Sequence, residues 1–334
     1  MKICVVGAGS IGGLLAAKLA AAGEEVTVIA RGAHLAAIRA RGLRLLMDGA
    51  ETVAQVRATD QIAEAGLQDL VILGMKAHQV AAVAPELKHL LGPQAAIVTA
   101  QNGIPWWYFR KLGGPHEGKS LESVDPGGVI AQHLEVDRVI GSIIYPAAEI
   151  VEPGLIRHVE GNRISLGELD GKETERLKGL TELFRRAGFK MRPTNDLRSE
   201  LWVKLWGNCT FNPISALTHA TLVDICQDPE GRALAQGMMR EAQEIGEKLG
   251  VKFAVSLEKR IAGAEAVGKH KTSMLQDVES GRPLELGALV GAVIELGRIT
   301  GTPTPQLGAV FACASLLART LAAAKGRLQL QPTA

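Results

Sequence analysis

Three polar residues recur at helical spacing within an otherwise apolar stretch, residues 201–213. Lys204, Asn208 and Asn212 follow one another at intervals of one helical turn, which places all three on one face of a helix. Burial among apolar neighbours lowers the pKa of a lysine, so that Lys204 can donate a proton near neutral pH. A polar stripe that faces solvent is the alternative, and the aromatic residues of the same stretch, Trp202, Trp206 and Phe211, argue against it. The spacing therefore predicts a site for proton transfer on this helix.

Glu285 is a second residue that could take part in proton chemistry. The preceding Pro283 predicts the first position of a helix, which makes Glu285 the third. A carboxylate stabilises the N-terminus of a helix whether or not it has another role. From spacing alone, we interpret Glu285 as a helix-capping residue.

A glycine-rich segment near the start of the chain has the spacing G-x-G-x-x-G. It consists of Gly7, Ala8, Gly9, Ser10, Ile11 and Gly12. The segment follows a short apolar strand, opens an Ala/Leu-rich helix, and a second strand ends about 20 residues later. Glycines let a pyrophosphate approach the backbone, and the N-terminus of the helix supplies free N–H groups. A glycine-rich turn without a ligand is the alternative, and the strand–loop–helix context favours dinucleotide binding.

Arg31 stands at the end of the second strand, where NAD sites usually carry Asp or Glu for the ribose 2′-hydroxyl. An arginine pairs instead with a 2′-phosphate through charge-assisted hydrogen bonds. A solvated surface arginine is the alternative, and the lack of a carboxylate at this strand end argues against it. The residue therefore favours NADP over NAD.

Lys76 and Asn102 each follow a strand-like segment, at 70–73 and 96–99. Ligands of open α/β sheets bind outside the carboxyl ends of the strands, so both side chains are predicted at the ligand edge. A solvated loop lysine and a simple Asn-Gly turn are the alternatives at the two positions. From the residues alone, neither interpretation is favoured.

The elements that must position these residues fall into two regions. Alternation of strands and helices in the first region predicts an α/β fold with a Rossmann-type, doubly wound parallel sheet. Long helical periods dominate after Pro193, so we predict a dinucleotide-binding domain at 1–194 and an all-helical domain at 195–326. Residues 113–128 are predicted to form a surface loop, and the segment after Arg327 is expected to fray.

Composition excludes several other classes of protein. The net charge is only +2, so the chain lacks the concentrated basic surface on which nucleic-acid binding depends. The four cysteines lie far apart without a C-x-x-C pair, so buried free thiols are expected, with no metal site. The sequence has no signal-peptide pattern and no uninterrupted apolar stretch of about 18 residues. We therefore expect a cytoplasmic protein with no membrane partner.

Taken together, the motifs resemble those of the ketopantoate reductase (2-dehydropantoate 2-reductase) family over nearly the whole chain. The resemblance rests on G-A-G-S-I-G at 7–12, Arg31, M-K-A at 75–77, Q-N-G at 101–103, E-L-W-V-K-L-x-x-N-x-x-x-N-P at 200–213, S-M-L-Q-D at 273–277 and Glu285. It implies reduction of ketopantoate to pantoate with NADPH, in pantothenate and coenzyme A biosynthesis. The reaction is expected in a cleft between a Rossmann domain and a helical domain.

The resemblance also implies roles for single residues. Lys204 is expected to protonate the carbonyl oxygen of the substrate and to stabilise the developing alkoxide. Asn208, Asn212 and Ser273 are expected to hold the substrate. Glu285 is expected to bind a substrate hydroxyl and to orient Lys204, a role that displaces the capping interpretation and can coexist with it.

In the first domain, the resemblance places Lys76 near the nicotinamide ribose and the substrate carbonyl. It places Asn102 between the cofactor and the substrate. Both residues are therefore expected to contribute to the cofactor site and to the substrate site.

The chain departs from the family pattern after Asn102. The run 106–109, Trp-Trp-Tyr-Phe, and the loop 113–128 lie beside the expected cleft. The run is expected to line the substrate pocket, to cover it as a lid, or to form a subunit interface, with the first two favoured. A related reductase for a different 2-oxo acid and a non-catalytic NADP(H)-binding sensor remain alternatives, and retention of Lys204 and Glu285 argues against the sensor. The chain is expected to be a monomer or a homodimer.

Overall fold

The structure, a computed structural model, describes residues 1–326 of the chain. The chain divides into two compact units, the first comprising Met1–Leu197 and the second starting at Arg198. The predicted boundary lay between residues 194 and 195. The segment after Arg327, which was expected to fray, lies outside the described residues.

Twelve strands and twelve α-helices form the described part of the chain. The strands are β1 (Lys2–Val6), β2 (Glu25–Ile29), β3 (Leu43–Met47), β4 (Ala50–Ala54), β5 (Arg57–Thr59), β6 (Gln68–Leu73), β7 (Leu91–Thr99), β8 (Val139–Ile144), β9 (Ala147–Glu152), β10 (Leu155–Glu160), β11 (Arg163–Glu168) and β12 (Lys190–Pro193). The helices are α1 (Ser10–Ala21), α2 (Gly32–Arg41), α3 (Val80–Leu87), α4 (Val129–His133), α5 (Glu175–Arg186), α6 (Leu197–Thr218), α7 (Leu222–Gln227), α8 (Pro229–Lys248), α9 (Leu257–Ala266), α10 (Ser273–Glu279), α11 (Ala292–Thr300) and α12 (Pro305–Ala323).

The main sheet of the first unit confirms the predicted Rossmann-type architecture. Its eight strands run in the order β12-β11-β8-β7-β6-β1-β2-β5, and the six strands from β8 to β5 are parallel. Near-continuous apolar runs form β1 and β6 because both faces of a parallel sheet are covered. The strand order reverses beside β1, between β2 and β6. This reversal is the switch point at which such sheets bind ligands.

One edge of the main sheet departs from the parallel prediction. β11 pairs antiparallel with β8, and β12 pairs parallel with β11. An antiparallel edge on a mainly parallel sheet is common in doubly wound folds. The main sheet is therefore mixed at this edge and parallel at the switch point.

A second, four-stranded sheet, in the order β4-β3-β10-β9, corrects the sequence prediction. The alternation of strands and helices predicted one parallel sheet, but β3 and β4, which follow α2, form a separate sheet with β10 and β9. The turn of the β3–β4 hairpin is Asp48-Gly49, with φ of +51° and +79°. Asp-Gly is a strong two-residue hairpin signal, so this hairpin was readable from the sequence.

Helix α1 connects the two sheets of the first unit. Its buried residues include Leu14, Leu15 and Leu19, which belong to one apolar core with strands of both sheets. The helix packs closely on the small sheet, because a Cβ at Gly13 would lie 2.7 Å from a side-chain carbon of Ile156. The glycine loop at the start of α1 is therefore held on a rigid support.

The described residues of the second unit form helices joined by short non-helical connections and contain no strand, as predicted. Helix α6 carries two fully buried tryptophans, Trp202 and Trp206. The indole N–H of Trp206 donates to the carbonyl of Met239 on α8 at 2.7 Å, and its ring lies 4.7 Å from that of Phe253. These contacts fix the orientation of α6, whose opposite positions carry the predicted polar stripe.

The aromatic run 106–109 is part of the core of the first unit. Trp107, Tyr108 and Phe109 are at most 1% exposed. The Trp107 indole donates to Thr99 Oγ1 at 3.0 Å, and its ring fills the space that a Cβ at Gly141 would need. The two predicted roles that need exposed rings, a lid and a subunit interface, are therefore wrong for these three residues.

The segment 113–128 is an anchored loop and only partly a surface loop. The carboxylate of Glu117 accepts hydrogen bonds from three successive backbone N–H groups, those of residues 111, 112 and 113. Asp125 is fully buried and accepts from the N–H groups of Ile130 and Ala131 at the start of α4. These bonds hold the segment against the unit.

Helix α12 bears on the expected absence of a membrane partner. By length and composition alone it could cross a membrane, and 22% of its apolar window is buried within the chain. Helices of globular proteins pass the same test. Gln306 and Arg319 interrupt the apolar sequence of this helix, so it contains no uninterrupted apolar stretch of about 18 residues.

Candidate functional site

The glycine loop has the shape that a dinucleotide pyrophosphate requires. Gly7 adopts a φ of +95°, and a Cβ there would lie 2.7 Å from the backbone nitrogen of Met75. A Cβ at Gly12 would collide with the carbonyl oxygen of Gly7. A Cβ at Gly9, by contrast, would meet no atom within 4 Å. The backbone at Gly9 is therefore open to a ligand at the N-terminus of α1, and the residues present fit the pyrophosphate of a dinucleotide.

Arg31 follows the end of β2 and precedes the first residue of α2. Its side chain is exposed, and the segment between β2 and α2 contains no carboxylate. The loop itself is fixed, because Ala30 N–H donates to the carbonyl of Thr59 at 3.0 Å. The position therefore favours a 2′-phosphate over an unmodified ribose.

Lys76 lies two residues beyond Gly74, beside the glycine loop. A Cβ at Gly74 would lie 2.8 Å from both Gly12 Cα and Gly7 oxygen, so the segment after β6 is in close contact with this loop. The backbone N–H of Lys76 donates to the side chain of Gln79 at 3.1 Å. The side chain of Lys76 is half-buried. The end of β6 and the glycine loop are therefore in contact at the edge of the sheet where ligand binding is predicted.

Gln101 lies beside two candidate site residues, and sequence reasoning gave it no role. Its side-chain amide donates to the carbonyls of Leu73 and Met75, at 2.6 and 3.2 Å. These bonds join the segment that carries Lys76 to the segment that carries Asn102. The signal was present, because Gln101 precedes Asn102 in the Q-N-G motif.

The second unit contains the predicted polar stripe on α6. Asn212 is buried, whereas Lys204 and Asn208 retain partial solvent contact. Burial of the ammonium lowers the pKa of Lys204 to about 8, and the nearby carboxylate of Glu285 acts in the opposite direction. The lysine is therefore still protonated at neutral pH and can release its proton close to it.

A hydrogen bond connects Asn212 of the stripe to Ser273, another predicted site residue. The side-chain amide of Asn212 donates to the hydroxyl oxygen of Ser273 at 3.4 Å. Ser273 is exposed at the first position of α10, and Thr272 caps that helix by accepting from Leu275 N–H at 3.2 Å. Because Ser273 accepts from Asn212, its own hydroxyl proton is available to an acceptor elsewhere.

Glu285 lies just before a helix and not at its third position. Residues 282–285 are outside helical structure, so the prediction that Pro283 begins the helix is wrong. The carbonyl of Glu285 accepts from Leu289 N–H at 3.3 Å, at the start of a π-helical segment, Gly287–Gly291, that leads into α11. Single-turn π segments often occur at functional sites. The residue thus sits at a helix start, and its side chain interacts with Lys204.

Two buried cysteines carry thiols that do not ionise near neutral pH. Burial raises the pKa of Cys4 and of Cys209 to about 12, so both thiols stay protonated. Cys226 is also buried, whereas Cys313 is exposed, contrary to the expectation that all four are buried. All four are free thiols.

The fold and these residues define a class of protein. A Rossmann-type sheet with a dinucleotide loop, together with a helical unit that carries a lysine of lowered pKa beside a carboxylate, identifies a nicotinamide-dependent oxidoreductase. Family models described as "Ketopantoate reductase PanE/ApbA" and "Ketopantoate reductase PanE/ApbA C terminal" match residues 3–108 and 196–318. The chain belongs to the ketopantoate reductase family.

Individual relatives agree with this assignment. A 2-dehydropantoate 2-reductase from Mesorhizobium japonicum is 55% identical, over 98% of this chain and 99% of its own. A 2-dehydropantoate 2-reductase from Pyrococcus horikoshii is 30% identical, over 91% and 93%. A structure from Ralstonia solanacearum MolK2, solved as a candidate ketopantoate reductase, is 43% identical with a TM-score of 0.92, over 96% of this chain and 98% of its own.

Proposed function

We propose that this protein reduces ketopantoate to pantoate with NADPH. The observation that carries the proposal is the position of Lys204 on α6, between the buried Trp202 and Trp206 and within reach of the charge of Glu285, where burial lowers its pKa to about 8. A group that must give up a proton during reduction works best when its pKa lies near the pH of the reaction. A lysine in water, with an ordinary pKa of 10.5, is a poorer donor.

The first unit supplies the residues that hold the cofactor. Gly7–Gly12 bind the pyrophosphate at the N-terminus of α1, and Arg31 pairs with the 2′-phosphate. Lys76 and Asn102, whose segments are joined by Gln101, contribute at the nicotinamide side of the site. When bound, NADPH supplies the hydride that the reduction needs.

The second unit supplies the proton and holds the substrate. Lys204 donates a hydrogen bond to the carbonyl oxygen of the 2-oxo acid and transfers its proton there as negative charge develops. Its positive charge stabilises that developing charge in the partly water-excluded environment of α6. Proton transfer leaves a neutral lysine, which is recharged from solvent for the next cycle.

Polar residues around Lys204 account for substrate recognition. Asn208, Asn212 and Ser273 present amide and hydroxyl donors that suit the carboxylate of a 2-oxo acid. The Asn212–Ser273 hydrogen bond fixes the serine hydroxyl for this purpose. Glu285 accepts a hydrogen bond from a substrate hydroxyl and keeps Lys204 protonated in the resting enzyme.

A substrate panel tests the proposal. NADPH oxidation is followed with ketopantoate, pyruvate, 2-oxobutyrate, 2-oxoisovalerate and phenylpyruvate, at fixed enzyme and cofactor concentration. We expect the highest kcat/KM with ketopantoate. A higher value with another 2-oxo acid would identify a reductase for that acid, and NADPH binding without turnover of any acid would identify a sensor.

The proposed reaction takes place in the cytoplasm, where NADPH and free thiols coexist. It requires only small-molecule partners, and either a monomer or a homodimer can perform it.

A further inference from the structure

His34 on α2 connects the glycine loop to the small sheet. Its Nε2 lies 2.8 Å from the carbonyl oxygen of Ala8, and the backbone N–H of Gly154 lies 3.0 Å from its Nδ1. Gly154 lies between β9 and β10. A backbone N–H can only donate, so Nδ1 accepts and the ring proton must be on Nε2, which donates to Ala8. Both bonds together require the neutral imidazole in this single tautomer.

The surroundings of His34 favour that neutral form. Burial lowers the pKa of His34, and the hydrogen bond to the Ala8 carbonyl opposes this shift only in part. Protonation would place an N–H of the ring against the N–H of Gly154. The ring is therefore a fixed connection between three segments of the first unit.

The hydrogen bond to Ala8 sets the direction of the next N–H group. A trans peptide unit is planar, so its C=O and its N–H point in opposite directions. The peptide bonds of the described residues include no cis bond, and Ala8 N–H is itself bonded to the carbonyl of Ile29 at 3.1 Å. Holding the Ala8 carbonyl toward His34 therefore turns the Gly9 N–H away from α2. Gly9 is the loop residue at which a Cβ would meet no atom within 4 Å.

We propose that His34 is a positioning residue for cofactor binding, because its hydrogen bond to Ala8 orients the Gly9 N–H toward the pyrophosphate. This inference rests on the proposed use of NADPH. His34 acts through the peptide unit and does not touch the cofactor. Its removal lets the Ala8–Gly9 peptide rotate and weakens binding of the pyrophosphate, while Arg31 continues to bind the 2′-phosphate.

Two substitutions of similar polarity separate this role from simple packing. In His34→Asn, the shorter amide can still accept from Gly154 and cannot reach Ala8. In His34→Gln, the longer amide carries a donor at the distance of Nε2 and can reach Ala8. His89→Asn, at an exposed position of the same unit, controls for loss of a histidine. Thermal unfolding confirms that each variant is folded at the assay temperature.

The readout is binding measured by calorimetry with two probes, NADP⁺ and adenosine 2′-monophosphate, which lacks the pyrophosphate. In His34→Asn we expect the Kd for NADP⁺ to rise about tenfold, the effect of one lost hydrogen bond of this kind. The Kd for adenosine 2′-monophosphate stays within about twofold of the wild-type value. His34→Gln restores NADP⁺ binding to within about threefold.

Two results would overturn the proposal. One is unchanged NADP⁺ binding in His34→Asn. The other is an equal loss of affinity for both probes, which would mean that α2 as a whole has shifted. Failure of the wild-type protein to bind NADP⁺ would instead contradict the proposed function, so the two failures are distinguishable.

Discussion

The carboxylate of Glu285 and the ammonium of Lys204 interact within the second unit, and the carboxylate raises the pKa of the lysine. Burial has the larger effect and lowers that pKa, to about 8. The two effects together keep the lysine charged at neutral pH and leave its pKa close to neutrality. Neither residue alone would give this balance.

The first prediction concerns the pH dependence of reduction. Only the protonated form of Lys204 can donate, so kcat/KM for ketopantoate should be constant below the pKa and fall about tenfold per unit above pH 8. Oxidation of pantoate needs the neutral amine and should rise through the same range. Initial rates in both directions between pH 6 and about pH 10 check this. A flat profile for reduction up to pH 10 would argue against Lys204 as the proton donor.

Substitution of Glu285 should shift the pH dependence of kcat/KM toward lower pH. In Glu285→Gln the negative charge is lost, so the pKa of Lys204 falls further and the decline in kcat/KM begins about one unit lower in pH. The exposed carboxylate Glu258 on α9 provides the matched control, Glu258→Gln, whose profile should coincide with that of the wild type. A shift toward higher pH in Glu285→Gln is the opposite of the expected result.

Lys204 should lower the stability of the folded protein. Its pKa is about 8 in the folded state against an ordinary value of 10.5. The resulting decrease in the free energy of unfolding is therefore fully present below pH 8 and disappears as the pH rises toward 10.5. At pH 7 the difference corresponds to about 3 kcal/mol at most. Lys204→Met should therefore have a higher Tm than the wild type at pH 7, and a smaller difference near pH 10. Lys259→Met, at an exposed position, controls for loss of a surface charge; a lower Tm of Lys204→Met at pH 7 would refute the expectation.

Arg31 should determine the choice between cofactors. A carboxylate in its place repels the 2′-phosphate and accepts from a ribose hydroxyl, so Arg31→Asp should lower kcat/KM for NADPH about tenfold to a hundredfold relative to NADH. The ratio of kcat/KM with NADPH to kcat/KM with NADH, measured with ketopantoate, shows whether the cofactor preference has changed. Arg240→Asp, at an exposed position of α8, should leave the ratio unchanged. An unchanged preference in Arg31→Asp would assign recognition of the phosphate to another residue.

Local patterns predicted the strand, glycine loop and helix that form the candidate cofactor site. β1, the glycine loop and α1 follow one another within 21 residues, and each is determined by short apolar or glycine patterns. The small sheet was missed because its pairing is not local: Arg44 on β3 pairs with Leu155 on β10. The burial of the aromatic run was missed for the same reason, since Trp107 packs against Gly141, on a strand that follows a long loop.

In the candidate site, too, local features were predicted and contacts between distant segments were not. The stripe on α6 was predicted from its spacing, because its residues share one helix. The interaction between Lys204 and Glu285 joins two elements far apart in sequence, and spacing alone favoured a capping role for the carboxylate. The hydrogen bonds of Gln101 and His34 also join distant segments, so tertiary structure was needed to see what these residues hold in place.

Pre-steady-state reduction of ketopantoate by enzyme saturated with NADPH tests the role of Lys204 most directly. In Lys204→Ala we expect NADPH to bind with wild-type affinity, because the cofactor residues lie in the first unit. The rate of the single turnover should fall at least about a hundredfold, the usual contribution of a positioned general acid. A single-turnover rate equal to that of the wild type would contradict the assignment of Lys204 as the proton donor.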